Sequence, residues 1–211
     1  MNLRRKKQGK IILHNIIRTC CLTGALFASG ACGYATLSND FTPAGGQWIK
    51  GGEGSLIGKD GILNVVQKQQ NAVIQWGDFS IGANATVNFS KEHGGSFNVL
   101  NYVDSGNVSQ IYGTINAKDG NVFLVNTAGT IIGKSAQINV GSLYVSNKKL
   151  VNISSFDGSN ISKLTASDQP ATGAELMSLG NIMANKITFD GNRIVLDTER
   201  VETYAGNKLQ T

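Results

Sequence analysis

The chain has 211 residues, enough for one domain with a sizeable core behind an export segment, and carries a formal net charge of +5. That excess would point to nucleic acid or a membrane, but Arg4, Arg5, Lys6, Lys7, Lys10 and Arg18 supply six of the 19 basic residues, and no acid precedes Asp40. The 13 basic residues that remain face 14 acids, so the basic character belongs to the leader and no nucleic-acid partner is expected for the domain behind it.

Residues 1–35 read as a secretory signal peptide. MNLRRKKQGK is a positive n-region, IILHNII and CLTGALFA are apolar, and SGACGYA offers small residues for cleavage. Cleavage is expected after Ala35, with Ala31 as the alternative. Arg18 interrupts the apolar run, which argues against a membrane anchor of about 20 residues. Ser29-Gly30-Ala31 before Cys32 lacks the aliphatic residue of a usual lipobox. Cys20, Cys21 and Cys32 are the three cysteines, so residues 36–211 hold no thiol and can build neither a disulfide framework nor a thiolate metal site.

From Thr36 on, short apolar or alternating runs recur between Gly, Asn and Asp punctuation, and each predicts a strand. In chain order they are centred on Leu63–Val66, Ala72–Trp76, Thr86–Phe89, Phe97–Leu100, Gln110–Tyr112, Val122–Val125, Gln137–Val140, Leu143–Val145, Lys186–Phe189 and Ile194–Leu196. The one expected helix is a turn or two around Gly173 to Leu179. Phe41 to Leu56 is expected to cap the N-terminal end.

Gly113-Thr114-Ile115 recurs as Gly129-Thr130-Ile131 and more loosely as Gly180-Asn181-Ile182, and the runs from Val122 and Leu143 begin about 21 residues apart. Asp-Gly and Ser-Gly pairs would also serve the hairpins of an antiparallel sandwich, so spacing alone leaves both architectures open. A parallel β-helix explains more: coils stacked about 4.8 Å apart make ladders of equivalent residues, with aliphatic side chains inside and Asn and Gly at tight corners. Asn101, Asn116, Asn126, Asn139 and Asn147 are expected at such corners. At about 20 residues per coil, the residues after Ala35 would make roughly eight coils if all joined the stack.

The ordered pieces PAGGQWIKG (43–51), LNVVQ (63–67), AVIQWGDFSIGANATVNF (72–89), FNVLNYV (97–103), SQIYGTINAKDGNVFLVN (109–126), GTIIG (129–133) and AQINVGSLYVSN (136–147) resemble the N-terminal secretion domain of filamentous haemagglutinin-like proteins, the exported partner in bacterial two-partner secretion. The resemblance spans about 43–147. It implies a right-handed parallel β-helix with an N-terminal cap and extra-helical strands over 36–211, and a Gram-negative origin. It also implies passage through the periplasm and an outer-membrane β-barrel transporter with periplasmic polypeptide-binding domains, which would bind the extended chain by strand addition. Folding would then nucleate at the cell surface, where regions beyond this chain meet host-cell ligands. The family's Asn-Pro-Asn-Gly motif falls at Asn126, Thr127, Ala128 and Gly129, the candidate transporter-recognition corner. Its first Asn and its Gly match, its Pro and second Asn do not, and neither Pro43 nor Pro170 follows an asparagine.

Nothing in the pattern calls for catalysis, a metal or a cofactor. His93 sits in Lys91-Glu92-His93-Gly94-Gly95-Ser96, which reads as an exposed loop, and His93, Ser96 and Asp104 lack the setting of a triad. Glu199 and Glu202 read as solvated surface and not as a glycosidase pair. Asp78, Asp104, Asp119 and Asp190 mostly adjoin glycine, as turn residues do. Gly51-Gly52-Glu53-Gly54 and Gly94-Gly95 lack the Lys-Ser/Thr of a phosphate loop, and Trp76 reads as a core anchor. The expected function is the secretion domain of an adhesin. The alternatives are a carbohydrate-active β-helix enzyme or a haem-acquisition exoprotein of the same secretion family.

Overall fold

The computed structural model describes residues 37–51, 54–169, 173–197 and 200–202. The expected signal peptide, its cleavage after Ala35 or Ala31, the cysteines, Pro170 and Glu199 lie outside the described residues, as do the side-chain surroundings of Glu202.

The chain enters through β1 (Gln47–Lys50) and β2 (Ser55–Lys59), which lie antiparallel on β4 (Asn71–Trp76) and β3 (Ile62–Gln67) respectively. These two strands form the cap expected between Phe41 and Leu56. Asp60 and Gly61, both at positive φ, close the β2–β3 hairpin, as a tight primed turn requires. Beyond it every pairing between named strands is parallel. β3 pairs β5 (Thr86–Lys91), and β4 pairs β6 (Phe97–Val103). A third side of the coil begins with β7 (Ser109–Ile111).

β8 (Thr114–Asn126) is long enough to serve two sides: its first half pairs β5 and its second half pairs β6. β9 (Thr130–Ile132) then stacks on β7. β10 (Gln137–Ser146) repeats the double role over β8. β11 (Leu176–Ser178), β12 (Asn181–Met183) and β13 (Lys186–Asp190) form the next level, and β14 (Ile194–Leu196) and β15 (Val201–Glu202) stack in turn on β11 and β12.

The interior consists of aliphatic ladders that follow from strand alternation. Leu63, Val87, Ile115, Ile138 and Ile182 are partners in successive coils, and all are buried. Ile81, Ile111 and Ile132 make a second ladder on the third side. Each such side chain contributes about 1.5–3 kcal/mol by leaving water. Val122 and Leu143, whose runs set the repeat in the sequence, are direct register partners.

Three expectations are corrected. The stretch around Gly173 to Leu179 is not helical. Leu176 and Ser178 point inward and Met177 outward, and β11 pairs in register with β9 and β14, so the waiting strand edge overrides the helix-forming composition. Among the described residues the only α-helix is α1 (Ile161–Leu164).

The solenoid makes about 4 turns, not eight. Equivalent asparagines are 24, 28 and 23 residues apart, and residues 148–169 leave the stack.

Asn116 and Asn139 are not corners. They stand mid-strand on the outer face, in a ladder in which Asn88 Nδ2 donates to Asn64 Oδ1 (3.0 Å), Asn116 to Asn88 (3.0 Å) and Asn139 to Asn116 (3.5 Å). Asn101 is not a corner either. It is buried within β6, accepting from Trp76 Nε1 at 3.0 Å, which satisfies the one polar group of the anchoring indole.

The excursion 148–169 is a strap. It contains a 3-10 turn, Ile153–Ser155, and α1, and it lays Leu150, Phe156 and Leu164 over the outward-facing Val73, Leu100, Tyr102 and Val125 to make a second apolar core. Phe156 meets Phe123 edge-on at 5.0 Å between ring centroids. The Lys50 ammonium donates to the Phe156 carbonyl, tying the strap to the cap.

Candidate functional site

The corner singled out by the sequence is where β8 turns into β9. Asn126 ends the strand with its side chain fully buried. Its Nδ2 donates to the Asn107 carbonyl (2.9 Å) and to Ser109 Oγ (2.8 Å) in the coil below, while its Oδ1 accepts from the Ala128 amide (2.8 Å). The last contact is the side-chain mimic of a backbone turn that asparagine favours. The Gly129 amide closes the turn on the Asn126 carbonyl at 2.9 Å.

Thr127 stands where the resemblance implies a proline, and the structure shows what threonine supplies. Its hydroxyl donates to Asp104 Oδ1 at 2.9 Å and its amide to the Val103 carbonyl at 3.3 Å. Proline has neither donor. The turn gives up a preset backbone angle and gains two hydrogen bonds to the preceding coil.

Gly129 has φ +104, a region L side chains rarely adopt, and a Cβ there would sit 2.6 Å from the Glu175 carbonyl oxygen. It is wedged between coils: its carbonyl accepts from the Ser109 amide, and the Thr130 amide donates to Glu175. One coil further on, Asn147 repeats the corner, donating to the Ala174 carbonyl at 3.0 Å.

Sequence reasoning selected Asn126 to Gly129 but missed their partners Asp104, Asn107 and Ser109. The spacing of 17 to 23 residues between partners, about one coil, was the available signal. Burial and then the Asp104 carboxylate hold the Tyr102 phenol above its ordinary value.

Asp78 makes an antiparallel bridge with Ala44, Asp119 lies within β8, and Asp190 ends β13. His93 and Ser96 are exposed, His93 at positive φ, while Asp104 is committed to Thr127. Among the described residues, no group of three or more His, Cys, Asp or Glu side chains is placed to hold a metal ion. The corner holds polar groups that are mutually satisfied, which is an arrangement for fixing a backbone.

A family model, TPS secretion domain, matches residues 46–209. The chain belongs to that family. It is the TPS secretion domain of a two-partner-secreted protein, a class exported with the help of an outer-membrane transporter as the second partner.

Two curated relatives are both haem/haemopexin-binding proteins of Haemophilus influenzae. One is 30% identical over 201 residues, covering 93% of this chain and 21% of the relative. The other is 38% identical over 94 residues, covering 44% of this chain and 10% of the relative. The chain thus spans about a fifth, or less, of the length of these relatives. The crystal structure of the HMW1 secretion domain from Haemophilus influenzae matches with a TM-score of 0.63 at 24% identity, over 74% of this chain and 41% of that one, a likeness of fold.

Proposed function

We propose that this TPS secretion domain serves a haem-acquisition exoprotein, exported across the periplasm and through an outer-membrane barrel whose periplasmic domains bind it in extended form. Folding of the coils at the cell surface then prevents return. Residues 1–35 act as the signal peptide, cleaved after Ala35. The haem reading displaces the adhesin reading because the relative that aligns over 93% of this chain is a haem/haemopexin-binding protein; the ligand would be held by regions outside this domain.

The observation that carries the export reading is the match of the TPS secretion domain model to residues 46–209, and burial bears on when the corner could be read. Asn126 is fully buried and Thr127 only 8% exposed, so a transporter cannot read these side chains in the folded coil. Recognition through residues 126–129 would therefore take place on the unfolded chain, and the same residues lock the coil afterwards.

The test is secretion of the full-length exoprotein from cells with its partner transporter, wild type against Asn126→Ala, followed by capture of the medium on haem-agarose. The expected result is partner-dependent release that falls in Asn126→Ala, with the released wild-type protein retained on haem. Undiminished release of Asn126→Ala would remove the corner from the export reading, and released protein that ignores haem would return the reading to adhesion.

A further inference from the structure

The sheet of β4, β6, β8, β10 and β13 carries rows of outward side chains fixed by strand register. One row runs Asn71, Asn98, Asn121, Ser142, Lys186, and the next runs Val73, Leu100, Phe123, Tyr144, Thr188. The strap covers Val73 and Leu100. At its edge, Gly158, Ser159 and Ile161 form one wall of a cleft of 480 Å³ whose other lining is the upper end of both rows, from Asn121 to Lys186 and from Phe123 to Thr188. That volume is in the range of small-molecule sites.

The cleft brings amide, hydroxyl, ammonium and aromatic groups together. The amide ladder ends in it: Asn121 Nδ2 donates to Asn98 Oδ1 (2.8 Å), and Asn98 in turn to Asn71 (2.6 Å), so Asn121 Oδ1 faces upward as an acceptor with no donor among the described residues. The side chains of Ser142, Thr188 and Lys186 have no hydrogen-bond or ionic partner among the described residues. Beside them Phe123 and Tyr144 form a tilted pair, 5.6 Å between centroids. Tyr144 is pinned by its hydroxyl, which donates to Asp190 Oδ2 at 2.7 Å, and Asp190 is itself held by Lys148 at 2.5 Å. The ring surface is therefore fixed before anything binds, which lowers the ordering cost of binding.

The backbone of the floor is spent. β6, β8, β10 and β13 are paired in register across the cleft, so no free strand edge lies there for an extended peptide to join. What remains is a fixed aromatic surface, two hydroxyls, an amide acceptor and one ammonium. This set suits a ring with C–H faces, several hydroxyls and one negative charge.

We propose that the cleft binds an acidic sugar residue, a hexuronate. Its ring lies against Phe123 and Tyr144, its hydroxyls meet Asn121, Ser142 and Thr188, and its carboxylate meets Lys186.

The test is saturation-transfer NMR on the exported domain with glucuronic acid and with glucose as probes. For a single sugar on an open cleft the dissociation constant should be on the order of 1 mM. Transfer from glucuronate is expected to exceed that from glucose. Lys186→Gln, at an exposed site, should weaken glucuronate about fivefold and leave glucose unchanged. Ser142→Leu, which fills the cleft, should abolish both at an unchanged melting temperature. Equal transfer from the two sugars, transfer that Lys186→Gln does not alter, or no transfer at about 10 mM would overturn the proposal.

Discussion

The coil stack and the strap stabilise the same domain by different means. In the stack each residue meets its own equivalent one coil away, so Leu63, Val87, Ile115, Ile138 and Ile182 form one continuous ladder, and stability grows by near-identical increments as coils are added. The strap has no equivalents. It holds the stack through contacts as distant as Lys50 with Phe156, 106 residues apart, and it covers an apolar face that three successive strands leave on the outside of the sheet. A stack can be lengthened coil by coil, whereas a strap closes one particular stack.

The largest effect that would break this comparison is at a coil contact with no room to yield. A Cβ on Gly113 would press into the backbone carbonyls of Ala85 and Gly82. Gly113→Val is expected to cost more than about 4 kcal/mol and abolish the cooperative thermal transition; a normal transition would mean that the coils do not stack as tightly as described.

A pair of core truncations sharpens the comparison. Leu124→Ala, inside the stack, should cost about 2–5 kcal/mol in denaturant unfolding, with all probes falling together. Phe156→Ala should instead free the strap first, seen as tryptic cleavage after Lys149 or Lys163 while the stack still melts cooperatively. Simultaneous loss in both variants would make the strap and stack one unit.

At the corner, Asn126→Ala leaves Ser109 Oγ and the Ala128 amide buried without a partner, at a cost of about 1–3 kcal/mol, measurable as a lower denaturant midpoint. The smallest effect concerns the strap side of the upper sheet. Burial pushes the Asp190 carboxyl up, but hydrogen bonds from Lys148 and Tyr144 outweigh it and hold the carboxyl below its ordinary 3.8. A depressed folded-state value gives stability that is present above about pH 4 and lost as pH falls through the folded value. Asp190→Asn should therefore remove part of the acid-side decline in melting temperature below about pH 4 and change little of its slope at neutral pH.

The strands and their register were legible because stacking writes a repeat into the sequence: the Val122 and Leu143 runs are partners, and Asn126 to Gly129 turns where its composition indicates. Asn116 and Asn139 belong to an outer-face ladder and not to corners, a difference the sequence does not carry, because an asparagine at a strand end and one in a mid-strand ladder have the same neighbours in one dimension. The strap was not legible at all. Its α1 helix has four residues, too few to show a period, and its value lies in faces that alternate outward on strands beginning as early as Asn71–Trp76. At Thr127 the sequence shows only a missing proline, and the neighbouring coil's Asp104 and Val103 show which hydrogen bonds stand in place of its fixed backbone angle.

The most direct test is export of residues 1–211 from a bacterial host with and without its outer-membrane partner transporter. The account predicts a protein beginning at Thr36 in the medium only when the transporter is present. Equal release without the transporter, or retention in the periplasm in both cases, would contradict a working TPS secretion domain.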